Sequence, residues 1–181
     1  MSDMWTEDGQ DPRTYDNPQG EKETYVEYLR NYRLTLGLKC DGLTPEQLAT
    51  RSVPPSTMSL LGLVRHMAAV EHSWFQRVAQ ATGEDRLYRT EEDRDLDFNG
   101  SVGTRECVDD AFATWRREIA KAEEWLDSVP ESDYGREVPI PGRDSEVVSI
   151  RDMVVHMIEE YARHCGHADL LRECIDGRTG Q

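Results

Sequence analysis

His156, Glu160, His164 and His167 fall within "HMIEEYARHCGH" (156–167), a stretch that otherwise reads as an amphipathic helix. At about 100° per residue, Glu160 lies roughly 40° round from His156, His164 roughly 40° further, and His167 returns to within about 20° of His156. One narrow stripe thus carries three imidazoles and a carboxylate, with Met153, Met157 and Leu171 on it or beside it. An unpaired carboxylate among apolar neighbours is costly to bury. A divalent ion removes that cost, because it takes carboxylate oxygens and imidazole nitrogens as ligands. Glu160 and His164 are four apart, so they sit on adjacent turns and can converge on one ion. A third ligand has to come from another element, and His66, between Leu63 and Met67 on a second apolar stripe, is the candidate. His72 is six residues further on, about 240° round, and faces elsewhere. The competing reading is a set of hydrogen-bonded core histidines, since a Glu and a His four apart are common in helices. Spacing alone leaves both readings open.

The elements that would position these groups are helices. Tyr25, Tyr28, Leu29, Tyr32, Leu36 and Leu38 recur at helical spacing from about Glu21 to Cys40, and Asp41-Gly42 stops the pattern. "TPEQ" (44–47) is a capping box with proline at the first helical position, predicting a short helical turn, and "VPPST" breaks the chain after it. A second long helix is predicted from about Met58 to Ala81, with Leu60, Leu63, Met67, Val70, Trp74 and Val78 facing inward. The charged segment 89–101 predicts a loop or a single helical turn. A third helix runs from about Thr104 to Ser128 on Val108, Phe112, Trp115, Ile119, Ala122 and Leu126. Residues 133–148, with Pro139, Pro141 and two glycines, form a long connection with room for a small β-hairpin. Ser149 and Asp152 cap the fourth helix, which continues to about Ile175 and ends at Gly177. Four long amphipathic helices predict an all-α four-helix bundle spanning 21–181, and bundle interiors are where metal sites are built from facing helices. Residues 1–20 read as a polar tail that Trp5 and Tyr15 could anchor.

Composition narrows the function. Asp and Glu number 36 against 21 Lys and Arg, a formal charge of −15 that repels nucleic acid and anionic membranes alike. No apolar run approaches the roughly 20 residues of a membrane span, and the N-terminus lacks the basic start and apolar core of a signal peptide. The expectation is a cytoplasmic protein. Cys40, Cys107, Cys165 and Cys174 form no CxxC pair, and they are expected as reduced thiols in or near the core.

Two stretches, "LLGLVRHMAAVEHSWFQRV" (60–78) and "HMIEEYARHCGHADLLRECIDGRTG" (156–180), resemble the DinB-like superfamily of metal-binding four-helix bundles, within a subfamily mostly of unassigned function. The resemblance covers about residues 21–180. It implies up-down-down-up connectivity, which the long 133–148 connection accommodates. It implies a metal triad at His66, Glu160 and His164, with Glu first on the last helix as in the mycothiol-dependent maleylpyruvate isomerase branch. Zn²⁺ heads the candidate ions, with Ni²⁺, Fe²⁺ and Mn²⁺ as alternatives. The implied activity is transfer of a low-molecular-weight thiol, mycothiol or bacillithiol in type, activated by the metal for attack on a small-molecule electrophile in detoxification. The isomerase branch carries a further C-terminal domain beyond the extent of these 181 residues, which turns the expectation from isomerase to S-transferase. Within this frame His167 is a fourth ligand, a substrate contact or a support for a ligand, and His156 a core or supporting group. Arg65, Arg163 and Arg172 are cofactor contacts or ordinary ion pairs with Glu71 and Glu159. Trp74 and Tyr161 are pocket walls or core. The resemblance also carries an expectation of a homodimer. The alternative function is a non-catalytic, metal-stabilised bundle serving as a binding or stress-response module.

Overall fold

The structure, a computed structural model, describes residues 11–180; Trp5 lies outside them. Residues 11–18 lie along the first helix: Arg13 Nη1 donates to Thr35 Oγ1 (3.2 Å), the Thr14 N–H to Asn31 Oδ1 (3.2 Å) and Arg30 Nη1 to Thr14 Oγ1 (2.9 Å). Tyr15 is exposed.

Helix α1 spans Glu21–Cys40, and α2 is the single turn Pro45–Leu48 closed by the Thr44–Gln47 capping box. Ser59 accepts from the Gly62 N–H to start α3, Leu60–Glu71, which runs on as a π-helical segment over His72–Val78. α4 is one turn, Leu96–Asn99, inside the segment expected to be loop or a single turn. α5 spans Arg105–Ser128, capped by Thr104. A two-stranded antiparallel hairpin follows, β1 (Glu137–Pro139) with β2 (Val147–Ser149), in the register Val138 to Val148. Ser149 accepts from the Asp152 N–H at the start of α6, Ile150–Asp176, and Gly177 ends it with φ 78°, the left-handed conformation that glycine adopts without strain.

Side-chain pairings fix the directions of the long helices. Glu21 meets Arg151 at the start of α1 and α6, and Arg172 Nη1 donates to the Lys39 carbonyl (3.0 Å) near their ends, so these two run parallel. His66 and His164 meet on α3 and α6, and so do Trp74 and His156, which makes that pair antiparallel. Arg65 with Cys107, His72 with Glu118 and Phe75 with Trp125 set α3 parallel to α5. The result is up-down-down-up. The two parallel neighbours α3 and α5 can only be joined by a chain that travels back along the bundle, and residues 79–104, containing α4, make that crossover. The connection before α6 is also long, because it holds the hairpin.

One residue from each long helix meets in the bundle centre. Arg33 grips Glu71 with two bonds of 2.8 Å, the Tyr161 hydroxyl donates to Glu71 Oε1 (2.7 Å), and Trp115 Nε1 donates to the Tyr161 oxygen (2.8 Å). All four side chains are buried. Burial works to lower the Arg33 pKa, but the charge and hydrogen bonds of Glu71, with Tyr161 and Glu123, together outweigh it and raise the value, while burial and Glu71 push the Tyr161 phenol well up. Around this layer pack Leu29, Leu36, Leu60, Leu63, Met67, Phe75, Met153 and Met157. Phe75, not Trp74, enters the core, and Glu71, not Val70, precedes it. Over this segment the turns widen to π-helical, as the Ala79 N–H bonding the Trp74 carbonyl at 2.9 Å shows, and Val78 returns to the core three residues after Phe75.

Candidate metal centre

The crossing of α3 and α6 brings together the three residues nominated by spacing. One ligand atom each from His66, Glu160 and His164 lies within 4.8 Å of the other two. His66 and His164 approach with ring centroids 4.7 Å apart. All three are partly or fully buried, with side-chain exposures of 25%, 15% and 11%.

The surroundings orient each group. His66 Nδ1 lies 2.8 Å from Asp97 Oδ2 on α4, so the carboxylate holds Nδ1 as the N–H and leaves Nε2 with its lone pair. Phe98, the next residue, stacks on the same imidazole at 5.3 Å. Asp97 is itself set by its other oxygen, which accepts the Phe98 N–H at 2.9 Å. Arg65 Nε and Nη2 donate to the carbonyls of Asp97 and Leu96 and so fasten α4 to α3. Glu160 faces His164 Nε2 at 3.4 Å, His156 Nε2 at 3.5 Å and Arg163 Nη1 at 3.8 Å. The His164 hydrogen bond pulls its carboxyl below the usual value against the upward push of burial.

His167 is outside the converging set. Its Nδ1 faces His164 Nδ1 at 3.3 Å, and burial, with the nearby charges of His164 and Arg163, lowers its pKa. Its position is that of a neighbour supporting His164. His156 packs its ring against Trp74 while reaching Glu160. His72 points away from the cluster. Its Nε2 meets the Asp85 carbonyl (3.0 Å) and its Nδ1 meets Glu118 (3.2 Å).

The three arginines near the candidate ligands in sequence have separate tasks. Arg65 holds α4; Arg163 pairs with Glu159 (2.6 Å) and reaches Glu160; Arg172 ties the carbonyls of Lys39 and Asp41 to Asp176. Glu71 pairs with Arg33, on another helix. Trp74 is half-buried and, with His66 and Asp97, lines a cavity of about 180 Å³, whereas Tyr161 belongs to the core. Cys40 and Cys165 are buried, which pushes both thiols up to about 12, Cys107 is half-buried and Cys174 exposed. Among the described residues no cysteine joins the cluster. Asp97 is the functional neighbour that sequence reasoning missed; its only signal was a helical turn in a charged segment.

An up-down-down-up bundle with two imidazoles and a carboxylate converging between α3 and α6 defines the class. Residues 24–177 match the mycothiol-S-transferase family, so the chain belongs to that family. Among proteins of curated function, none matches the chain in sequence. The crystal structure of a conserved protein from Enterococcus faecalis is similar in fold, with a TM-score of 0.65 and 14% identity over 89% of this chain and 100% of that one. Among the described residues no helix is long and apolar enough to cross a membrane.

Proposed function

We propose that the protein is a metal-dependent S-transferase that joins a low-molecular-weight thiol of the mycothiol type to a small electrophile. The observation that carries this is the convergence of His66, Glu160 and His164 within 4.8 Å, together with the fixed tautomer of His66. The donor set fits a divalent ion: two imidazoles and one carboxylate, with a carboxylate behind one imidazole, is an arrangement that zinc and its neighbours favour. Such an ion supplies positive charge that favours a thiolate over a thiol at neutral pH. His66 Nε2, Glu160 and His164 would hold it. Three protein ligands leave a coordination position for the cosubstrate, whereas a fourth would close the site. His167 lies outside the cluster, which favours transfer over a purely structural role.

Cys40 and Cys165 are poor nucleophiles, since burial keeps them protonated at neutral pH, and among the described residues no cysteine joins the cluster. The attacking sulfur is therefore that of the cosubstrate. Its proton is lost to solvent or to a nearby base, the sulfur forms a bond to the electrophilic carbon, and the displaced group leaves with its electron pair.

Elemental analysis of untagged protein, alongside mycothiol consumption with monochlorobimane, tests the reading. About one divalent ion per chain and turnover are expected in the wild type, with both lost in Glu160→Ala/His164→Ala. Turnover that survives this double substitution would refute the site.

A further inference from the structure

The cavity that His66 lines is also lined by Arg86, Arg89 and Arg94 from the crossover. In a chain with a formal charge of −15, three arginines lining one small cavity run against the overall field. Among the described residues none of the three has a carboxylate partner. The one acid on the cavity wall, Asp97, is engaged by His66 and by the Phe98 N–H. Like charge is crowded here as well: partial burial, then Arg77, Arg89 and Arg143, hold the Arg86 pKa below its ordinary value.

The loop that presents these side chains is pinned on both flanks. His72 Nε2 meets the Asp85 carbonyl at 3.0 Å, the Tyr88 hydroxyl donates to Asp110 (2.9 Å), and the Arg65 guanidinium lies 3.9 Å over the Tyr88 ring. Arg86 and Arg89 therefore flank a fixed point and are not on a free strand of loop. The cavity, about 180 Å³, is smaller than the roughly 300–1,000 Å³ of sites for drug-sized ligands. It has the size for a compact acid.

We infer that this cavity is an anion subsite that takes the carboxylate of a small acidic electrophile, placing its reactive carbon toward His66. The inference deepens the transfer reading and rests on it for the reaction, but the subsite itself can be tested without turnover.

Propionate and propionamide are inert and nearly isosteric, and the assigned indole N–H resonance of Trp74, on the cavity wall, reports binding by NMR. In metal-loaded protein, propionate is expected to shift that signal saturably and propionamide at least tenfold less effectively. Arg86→Ala/Arg89→Ala/Arg94→Ala should weaken propionate at least about tenfold, the loss of one good charge-assisted contact or more. Because the three residues are exposed, helicity should be unchanged. Equal binding of acid and amide, or propionate binding retained in the triple variant, overturns the subsite; the latter would mean direct ligation of the ion.

The matching reaction uses chloroacetate and chloroacetamide with mycothiol. In each the sulfur bonds to the α-carbon and chloride departs with the bonding pair. The acid-to-amide ratio of kcat/KM should fall about tenfold or more in the triple variant. Arginine-dependent propionate binding without turnover of any electrophile would sink the transferase and leave the anion subsite standing. Turnover with an unchanged ratio would do the reverse.

Discussion

Removing the Asp97 carboxylate should weaken divalent-metal binding at the proposed site without touching a candidate ligand. Asp97 Oδ2 sits 2.8 Å from His66 Nδ1 and its side chain is 13% exposed, so the contact is a short hydrogen bond with little water competing for it. The bond fixes which nitrogen of His66 carries the proton, sets the ring plane and makes Nε2 more basic. Loss of a partner of this kind typically costs about 10–100-fold in metal affinity, or roughly 1.4–2.7 kcal/mol. Asp97→Ala is expected within that range. Asp97→Asn keeps an oxygen able to accept from His66 and loses only the charge, so it belongs at the lower end. Competition against a chromogenic zinc chelator gives the affinities, and circular dichroism checks that helicity is intact. A dissociation constant for Asp97→Ala within twofold of wild type, with helicity unchanged, would show that Asp97 does not orient a ligand. If His66→Ala were equally silent, His66 itself would be excluded as a ligand.

The central layer and the crossover give further tests. Glu71→Gln leaves the buried Arg33 charge with only the exposed Glu123 carboxylate at 3.4 Å, so it should cost about 3 kcal/mol and lower Tm by roughly 6–12 °C in a chain of this size; calorimetry showing a change under 2 °C would contradict a paired, buried charge. Gly62→Ala places a Cβ 2.7 Å from the Phe98 ring, so α4 must shift and carry Asp97 with it, and metal affinity should fall along with stability; stability lost at unaltered affinity would uncouple the two. Burial pushes the Glu118 carboxyl up, and the hydrogen bonds from His72 and Arg117 with the charges of Lys121 and His72 together reverse this, leaving it below its ordinary value. In acid the unfolded chain therefore binds that proton before the folded one does, and stability is lost as pH falls below about 4.5 toward the folded pKa. Glu118→Gln should flatten the acid limb of chelated protein in urea titrations, and an unchanged slope below about pH 4.5 would refute the assignment.

The parts of this structure that are local in origin are legible from the chain. Caps at Thr44, Ser149 and Gly177 announce helix ends because they act within a few residues, and Glu160 with His164 announces a shared face because four residues make about one turn. His66 follows once a facing helix is assumed. What the sequence hides is set by distant packing. Arg33 and Glu71 read as surface charges until the fold buries them against each other, 38 positions apart. Trp74 reads as core on the stripe of Val70 and Val78, but the packed face runs through Glu71 and Phe75, which leaves Trp74 half-buried on the cavity wall. Asp97 sits in a charged segment with a single helical turn, and nothing local distinguishes it from Asp93 or Asp95.

The same segment explains why the site lies where it does. Placing α3 and α5 side by side in the same direction obliges the chain to return along the bundle between them, a length that hairpin-linked antiparallel helices do not need. That returning chain, 79–104, must be fastened, and the fastenings are Arg65 to the α4 carbonyls, Tyr88 to Asp110 and His72 to the Asp85 carbonyl. Each fastening also fixes a group at the cavity: α4 sets Asp97 behind His66, and Tyr88 sets the arginines beside it. The helices thus bring the three candidate ligands together, while the crossover forced by their order supplies the group that orients one of them and the charges that face it. Changes in the crossover should therefore alter substrate preference and metal affinity, whereas changes in the central Arg33–Glu71–Tyr161–Trp115 layer should alter stability first.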